Sequence, residues 1–247
     1  MPLPEACVAA ALSAPQVREN NVMSKWNDPK YQVLSNAEIS DALDFFGLPG
    51  SAAGLSCVTG SHRIFGPAFT VRFAPVDPQA VGTVGDFIDD VQAGQVIVLD
   101  NGGRSDCTVW GGILSQIAQA RNIAGTVING VCRDSAEAVQ CNYPIFSRGV
   151  FMRTGKDRVQ VEAVGGSVSL GEVRVNAGDI VVGDRDGIVV IPAARAEEVL
   201  ERALKTHLAE NEIVQAVRAG ATLKEAREKL GYHLLQRSGH AIEADRA

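Results

Sequence analysis

Residues 96–134, VIVLDNGGRSDCTVWGGILSQIAQARNIAGTVINGVCRD, limit the possible folds more than any other part of the chain. Residues 96–99 form an unbroken apolar, β-branched run. So do residues 126–128 ahead of Asn129-Gly130, and both runs read as strands buried on two faces. Between them Ile113, Leu114, Ile117, Ala118 and Arg121 recur at helical spacing. A strand-helix-strand crossover brings the first strand's carboxyl end, the helix's amino end and the second strand's carboxyl end to one edge of a sheet. Open α/β sheets bind their ligands at that edge.

The residues that arrive there carry chemistry. Gly111-Gly112 opens the helix, so the backbone N–H groups of Gly111, Gly112, Ile113 and Leu114 can be approached closely by a carboxylate or phosphate. Arg133 adds a planar fork suited to a carboxylate, and Asp134 a hard oxygen suited to a divalent cation. Each piece also has an ordinary structural reading. A Gly-Gly pair serves turns, and an adjacent Arg-Asp pair is commonly solvated or locally paired. Trp110 abuts the helix opening as pocket wall or as core. Cys132 has a cation beside it but no histidine nearby in sequence, and reads as a small apolar filler.

Other function classes fit poorly. With 23 Lys+Arg against 29 Asp+Glu, the formal charge of -6 argues against nucleic acid as the main partner. The five cysteines, Cys7, Cys57, Cys107, Cys132 and Cys141, are odd in number and scattered without a CxxC pair, which points to a reduced cytoplasmic compartment. His62, His207, His233 and His240 show no zinc spacing. No GxGxxG loop is present. The apolar run CVAAALSA lacks the basic flank of a signal peptide and no segment is long enough to span a bilayer, so neither export nor membrane insertion is expected.

Along the chain, residues 1–33 read as a leader, 34–192 as the main domain and 193–247 as a helical extension. Ser35 with Glu38 forms a capping box for a helix through Ile39, Leu43 and Phe46 that stops at Gly47. Residues 51–60 read as loop, residues 63–74 as a strand interrupted by Gly66-Pro67, and residues 84–91 as a short helix. Residues 159–191 fall into short strands separated by glycine turns, an antiparallel layer distinct from the crossover. Asp184, Arg185 and Asp186 before Gly187 read as a hairpin turn, and Ser105-Asp106 as turn chemistry. From residue 193 the pattern is helical, with Val199, Leu200, Ala203, Leu204, Leu208, Ile213 and Val217 as a stripe that suits a subunit interface or a solvated surface.

The order of motifs ISDALDFFG, RIFGPAFTVR, the crossover with INGVCRD, AGDIVVGDRDGIVVIP and RAGATLKEAREKLGY resembles the RraA-like family. That family includes metal-dependent 4-hydroxy-4-methyl-2-oxoglutarate/4-carboxy-4-hydroxy-2-oxoadipate aldolases and the regulator of ribonuclease E activity. The resemblance implies a three-layer α/β fold of the β/β/α swivelling type and a homotrimer or hexamer with its active site between subunits. It implies that residues 111–114 bind a pyruvyl carboxylate through backbone N–H groups, that Arg133 holds the oxo-acid, and that Asp134 holds Mg²⁺ or Mn²⁺. A further acid would come from a neighbouring subunit's C-terminal helix, with Glu210 or Glu212 as counterparts.

One departure stands out. Aldolase members usually carry Asp or Glu where this chain has Gly112, and a positioned general base is worth about 10²–10⁴ in rate. Asp106 and Asp86 are replacements in sequence. Decarboxylation of a 2-oxo-diacid such as oxaloacetate needs chiefly an electrophilic sink and orientation, so Gly112→Asp is expected to favour aldol cleavage over decarboxylation. The resulting expectation is a divalent-metal-dependent lyase that releases pyruvate from a 2-oxo acid. The alternatives are a non-catalytic regulatory or binding protein and a metal-dependent enzyme on another hydroxy- or sugar-acid.

Overall fold

The computed structural model describes residues 28–60, 62–80 and 82–232. In chain order come helices α1 (Pro29–Gln32) and α2 (Asn36–Phe45), the two-residue strands β1 (Ser51–Ala52) and β2 (Ser56–Cys57), and the long strand β3 (Ile64–Pro75). The crossover follows as β4 (Val96–Thr108), α3 (Gly112–Ala120) and β5 (Gly125–Val131). Then come α4 (Ser135–Gln140), β6 (Ile145–Ser147), β7 (Val159–Val164), β8 (Val168–Leu170), β9 (Val173–Val175), β10 (Ile180–Asp184) and β11 (Gly187–Ile191). The helices α5 (Ala196–Arg218) and α6 (Leu223–Lys229) close the series.

Side-chain alternation assigns each strand two faces, and from these the layers follow. In β4, Ile97 and Leu99 pack with Ile128 of β5, with Trp110 and Ala118 around α3 and with Ala138 of α4. The opposite face of the same strands, Val96, Val98 and Val127, packs on Val168, Leu170, Val173, Val175, Val181, Ile188 and Val190 of β8 to β11. The far face of β10 and β11, Ile180, Val182, Val189 and Ile191, is covered by Ile39 and Leu43 of α2 and by Val199, Leu200 and Ala203 of α5. Helices, parallel strands and antiparallel strands are therefore stacked as a β/β/α arrangement, with α2 and α5 on the outside. Every residue of β5 is buried, and each large aliphatic side chain so placed contributes about 1.5–3 kcal/mol.

Strands β3, β4, β5 and β6 pair in parallel, as a crossover requires. Most of the antiparallel strands are not a separate sheet. β3 pairs with β10 through residues 64–67 and with β7 through residues 71–75, which joins β1, β10 and β11 to the parallel set in one nine-stranded sheet. Only β8 and β9 form their own two-stranded sheet among the described residues.

Four local expectations need correction. Gly66-Pro67 does not interrupt β3, because it lies where the strand passes from β10 to its later partners. There Gly66 admits the Gly94 carbonyl, which a Cβ would strike, and Pro67 needs no ladder donor. Residues 51–60 are not wholly loop, since β1 pairs with β11 and β2 with β6. Residues 84–91 form a 3-10 turn over Asp86–Asp90 rather than an α-helix. Ser105-Asp106 is not a turn: the stretch after Asp100 continues as strand to Thr108, with register shifts against β5 and left-handed φ at Gly102 and Gly103. The capping box on α2 and the hairpin between β10 and β11 stand as expected.

Of the C-terminal stripe, Val199, Leu200, Ala203 and Ile213 are buried, whereas Leu208 and Val217 are exposed. No helix among the described residues is long and apolar enough to cross a membrane.

Candidate active site

The ends of β4 and β5 are held together just before the chain enters α4: Arg133 N–H donates to the Trp110 carbonyl at 3.2 Å, and Cys132 N–H to the Gly149 carbonyl. Trp110 is buried and donates through Nε1 to Ser115 Oγ at 2.9 Å, which in turn donates to the Gly111 carbonyl at 3.1 Å. Its ring stacks on Tyr143 with centroids 6.0 Å apart. Trp110 is thus core and cleft wall at once, and it fixes where α3 begins. Asp134 follows with φ of 55° and ψ of 35°, a left-handed conformation that Asp tolerates better than most residues and that costs about 1–2 kcal/mol.

These junctions enclose a cleft of about 350 Å³. Gly111, Gly112, Ile113, Leu114, Arg133 and Asp134, the residues singled out in the sequence, all line it. Asp134 Oδ2 accepts the Gly112 N–H at 3.0 Å and lies 3.4 Å from Arg133 Nε. One of the expected backbone donors is therefore already used. The N–H groups of Ile113 and Leu114 have no backbone partner among the described residues, as expected for the first turn of a helix, and the N-cap residue Gly111 has no side chain to cap them. Arg133 and Asp134 are about 40% exposed, so their mutual attraction is screened and the guanidinium stays available to a ligand.

Several sequence candidates lie elsewhere. Asp106 is gripped by Arg104 through contacts of 2.9 and 2.8 Å, which holds its carboxyl below the ordinary range. Asp86 is exposed and does not line the cleft. Glu210 accepts the Tyr232 hydroxyl at 2.7 Å, while Glu212 is exposed on α5. Burial pushes the Cys132 thiol up, against a nucleophilic role. His62 contacts the Thr59 carbonyl and His207 contacts Glu38. His233 and His240 lie outside the described residues.

The cleft also holds residues that the sequence did not single out. Glu137 lies one helical turn beyond Asp134, a spacing that places both on one side of α4. Thr108, Thr154 and Lys156 arrive because residue 108 bridges residue 154 in parallel. Nothing local in sequence announces that pairing.

Among the described residues no group of three or more His, Cys, Asp or Glu is arranged to hold a metal ion. The cleft offers two carboxylates, Asp134 and Glu137. That donor set does not suit a caged zinc ion, but it suits Mg²⁺, which keeps several waters and binds through one or two carboxylates.

Known proteins share this plan. Protein DlpA of Legionella pneumophila is 38% identical over 223 residues, covering 88% of this chain and 36% of DlpA, so the chain spans about a third of that protein's length. A protein of Halalkalibacterium halodurans bearing the name "Putative 4-hydroxy-4-methyl-2-oxoglutarate aldolase" is 33% identical over 178 residues, covering 71% of this chain and 81% of its own. A crystal structure of an uncharacterized protein from Pseudomonas syringae pv. tomato superimposes with a TM-score of 0.75 at 40% identity, covering 83% of this chain and 96% of the other. The RraA-like (Aldolase/RraA) family model matches residues 36–190, more than half of the sequence, and this chain belongs to that family.

Proposed function

We propose that this chain is a divalent-metal-dependent carbon–carbon lyase that releases pyruvate from a 2-oxo acid, by aldol cleavage of 4-hydroxy-4-methyl-2-oxoglutarate-type substrates, by decarboxylation of oxaloacetate, or by both. One observation carries the reading: a single cleft collects the uncapped start of α3, the Arg133 fork and the Asp134 carboxylate. The relative with an aldolase name supports the same class.

The free N–H groups of Ile113 and Leu114 donate to the substrate's C1 carboxylate at the positive end of α3. Arg133 lies beside Asp134 and orients the oxo-acid by a charge-assisted fork, placing positive charge where the enolate develops. Asp134, with water completing the shell, would hold Mg²⁺ or Mn²⁺. When bound, that ion polarises the 2-oxo group and lowers the energy of the enolate. Trp110 and Leu114 keep one wall of the cleft apolar and limit water.

The same reading includes a homo-oligomer, trimer or hexamer, in cytoplasm. Ile113 and Met152 are each 76% exposed, and Val150 is 57% exposed. A second subunit would bury such residues. A non-catalytic binding role is the second reading, favoured by the glycine at position 112.

Pyruvate release from oxaloacetate and from 4-carboxy-4-hydroxy-2-oxoadipate, each with Mg²⁺ and with excess EDTA, tests the proposal. Turnover that EDTA abolishes is the expected result. Silence on both substrates without Mg²⁺ binding sinks the lyase reading in favour of the binding role.

A further inference from the structure

Gly112 stands where a side chain would enter the cleft from the start of α3, and the space that side chain needs is already filled. A Cβ at this position would collide with the Glu137 carboxylate, with Cδ at 2.6 Å and Oε1 at 3.3 Å. The backbone of Gly112 has no left-handed φ that would call for glycine. The need for glycine there is one of room. Glu137 itself is loosely held: its side-chain contact is Gln116 Nε2 at 3.4 Å, long for a hydrogen bond. Of the two carboxylates that line the cleft, Asp134 bonds the Gly112 N–H, sits beside Arg133 and is the one assigned to the cation, which leaves Glu137 as the one available to move a proton.

We infer that Glu137 is the proton-transfer group of this cleft and that Gly112 is the residue that makes room for its carboxylate. The inference rests on the lyase reading of the same site. With a 4-hydroxy-2-oxo acid, Glu137 takes the proton of the C4 hydroxyl as the C3–C4 bond breaks. The hydroxyl oxygen becomes a carbonyl and the bond's electron pair passes into the pyruvate enolate. Glu137 then returns the proton to C3, giving pyruvate, so that no oxidant, reductant or further reactant is consumed. Acid and base work by one carboxylate thus enters from α4 rather than from the start of α3.

The inference also reverses an expectation drawn from the sequence. An aspartate at position 112 would not simply add a carboxylate, because it would displace Glu137 from the same volume. Glu137 ends a flexible side chain and can rotate away, so the fold tolerates the change while the carboxylate is lost from its place.

The test uses the full-length chain with Mg²⁺ and compares wild type, Glu137→Gln, Glu137→Ala, Gly112→Asp and the double variant Gly112→Asp/Glu137→Ala. The readouts are pyruvate release from 4-hydroxy-4-methyl-2-oxoglutarate, exchange of pyruvate methyl protons with D₂O followed by NMR, and oxalate binding by calorimetry. Glu137→Gln is expected to lose about 10²-fold or more in release and exchange, the scale of general acid–base catalysis, while oxalate affinity stays within about threefold of wild type. Gly112→Asp alone should slow both reactions, and the double variant should recover at least about tenfold over Glu137→Ala, a rescue that a merely structural role cannot produce. Wild-type rates in Glu137→Gln, or no rescue in the double variant, overturn the inference while leaving the lyase reading intact. A wild-type protein that binds oxalate but neither releases nor exchanges overturns the lyase reading and this inference with it.

Discussion

Two helices of this protein begin in opposite ways. At α2 the end is closed by side chains: Glu38 N–H donates to Ser35 Oγ at 3.2 Å, Ser35 N–H donates to Glu38 Oε2 at 2.7 Å, and Asn36 N–H donates to Asp184 Oδ2 of β10 at 2.8 Å. At α3 the start is Gly111-Gly112 with no side-chain cap, and the one donor that is satisfied bonds to Asp134, 22 residues along the chain. Both helices face the same liability of unpaired N–H groups. At the helix end remote from the cleft, a capping box and a carboxylate take up the donors; at the end that faces the cleft, glycines leave the Ile113 and Leu114 donors open and one carboxylate takes the Gly112 N–H.

Substitutions at the two ends should therefore separate activity from stability. The largest effect is expected for Asp134→Asn, which keeps a residue tolerant of the left-handed backbone but removes the charge. Metal-dependent turnover should fall on the order of 10³-fold, about 4 kcal/mol of transition-state stabilisation, with an unchanged far-UV CD spectrum. Steady-state kinetics near wild type would remove Asp134 from the site. Arg133→Ala should come next, with kcat/KM lower by about 10²-fold and both kcat and KM affected, the scale of a lost charged hydrogen bond. A change in KM alone would make Arg133 a simple ground-state contact.

Gly111→Ala should have a smaller effect. A Cβ there would lie 2.8 Å from Asp134 Oδ2 and 3.2 Å from Arg133 Nε, while the extended backbone at Gly111 is open to any residue. Turnover should drop about tenfold, as expected for a misplacement of well under 1 Å, with little change in melting temperature. Equal activity would mean that the pair shifts without consequence. At the closed end, Ser35→Ala should do the reverse. It should cost about 1 kcal/mol and lower Tm by about 2–4 °C, with kcat per folded molecule unchanged. A loss of activity without a loss of stability would erase the contrast between the two ends.

Much of this was legible in the residues. The alternating faces of residues 96–99 and 126–128, the helical spacing from Ile113 and the Ser35–Glu38 capping box are local patterns, and each element formed where its period placed it. The Arg133-Asp134 pair was legible as well, because connectivity alone brings a second parallel strand's end to the helix opening. The role of Gly66-Pro67 was not, since a strand's change of partners depends on segments more than 100 residues apart. Glu137 escaped for another reason. Its spacing from Asp134 was visible, but that its carboxylate fills the space over Gly112 is a matter of side-chain volume.

The sequence by itself determined the periodic elements, the crossover and the sheet edge at which the cleft opens, because hydrophobic alternation and chain connectivity are properties of neighbouring residues. Tertiary structure alone decided that β10 and β11 join the parallel set through β3, that the bridge between Thr108 and Thr154 brings Thr154 and Lys156 to the cleft, and that Glu137 takes the room Gly112 leaves. Each of those outcomes depends on atoms far apart in the chain competing for the same space, which only packing resolves.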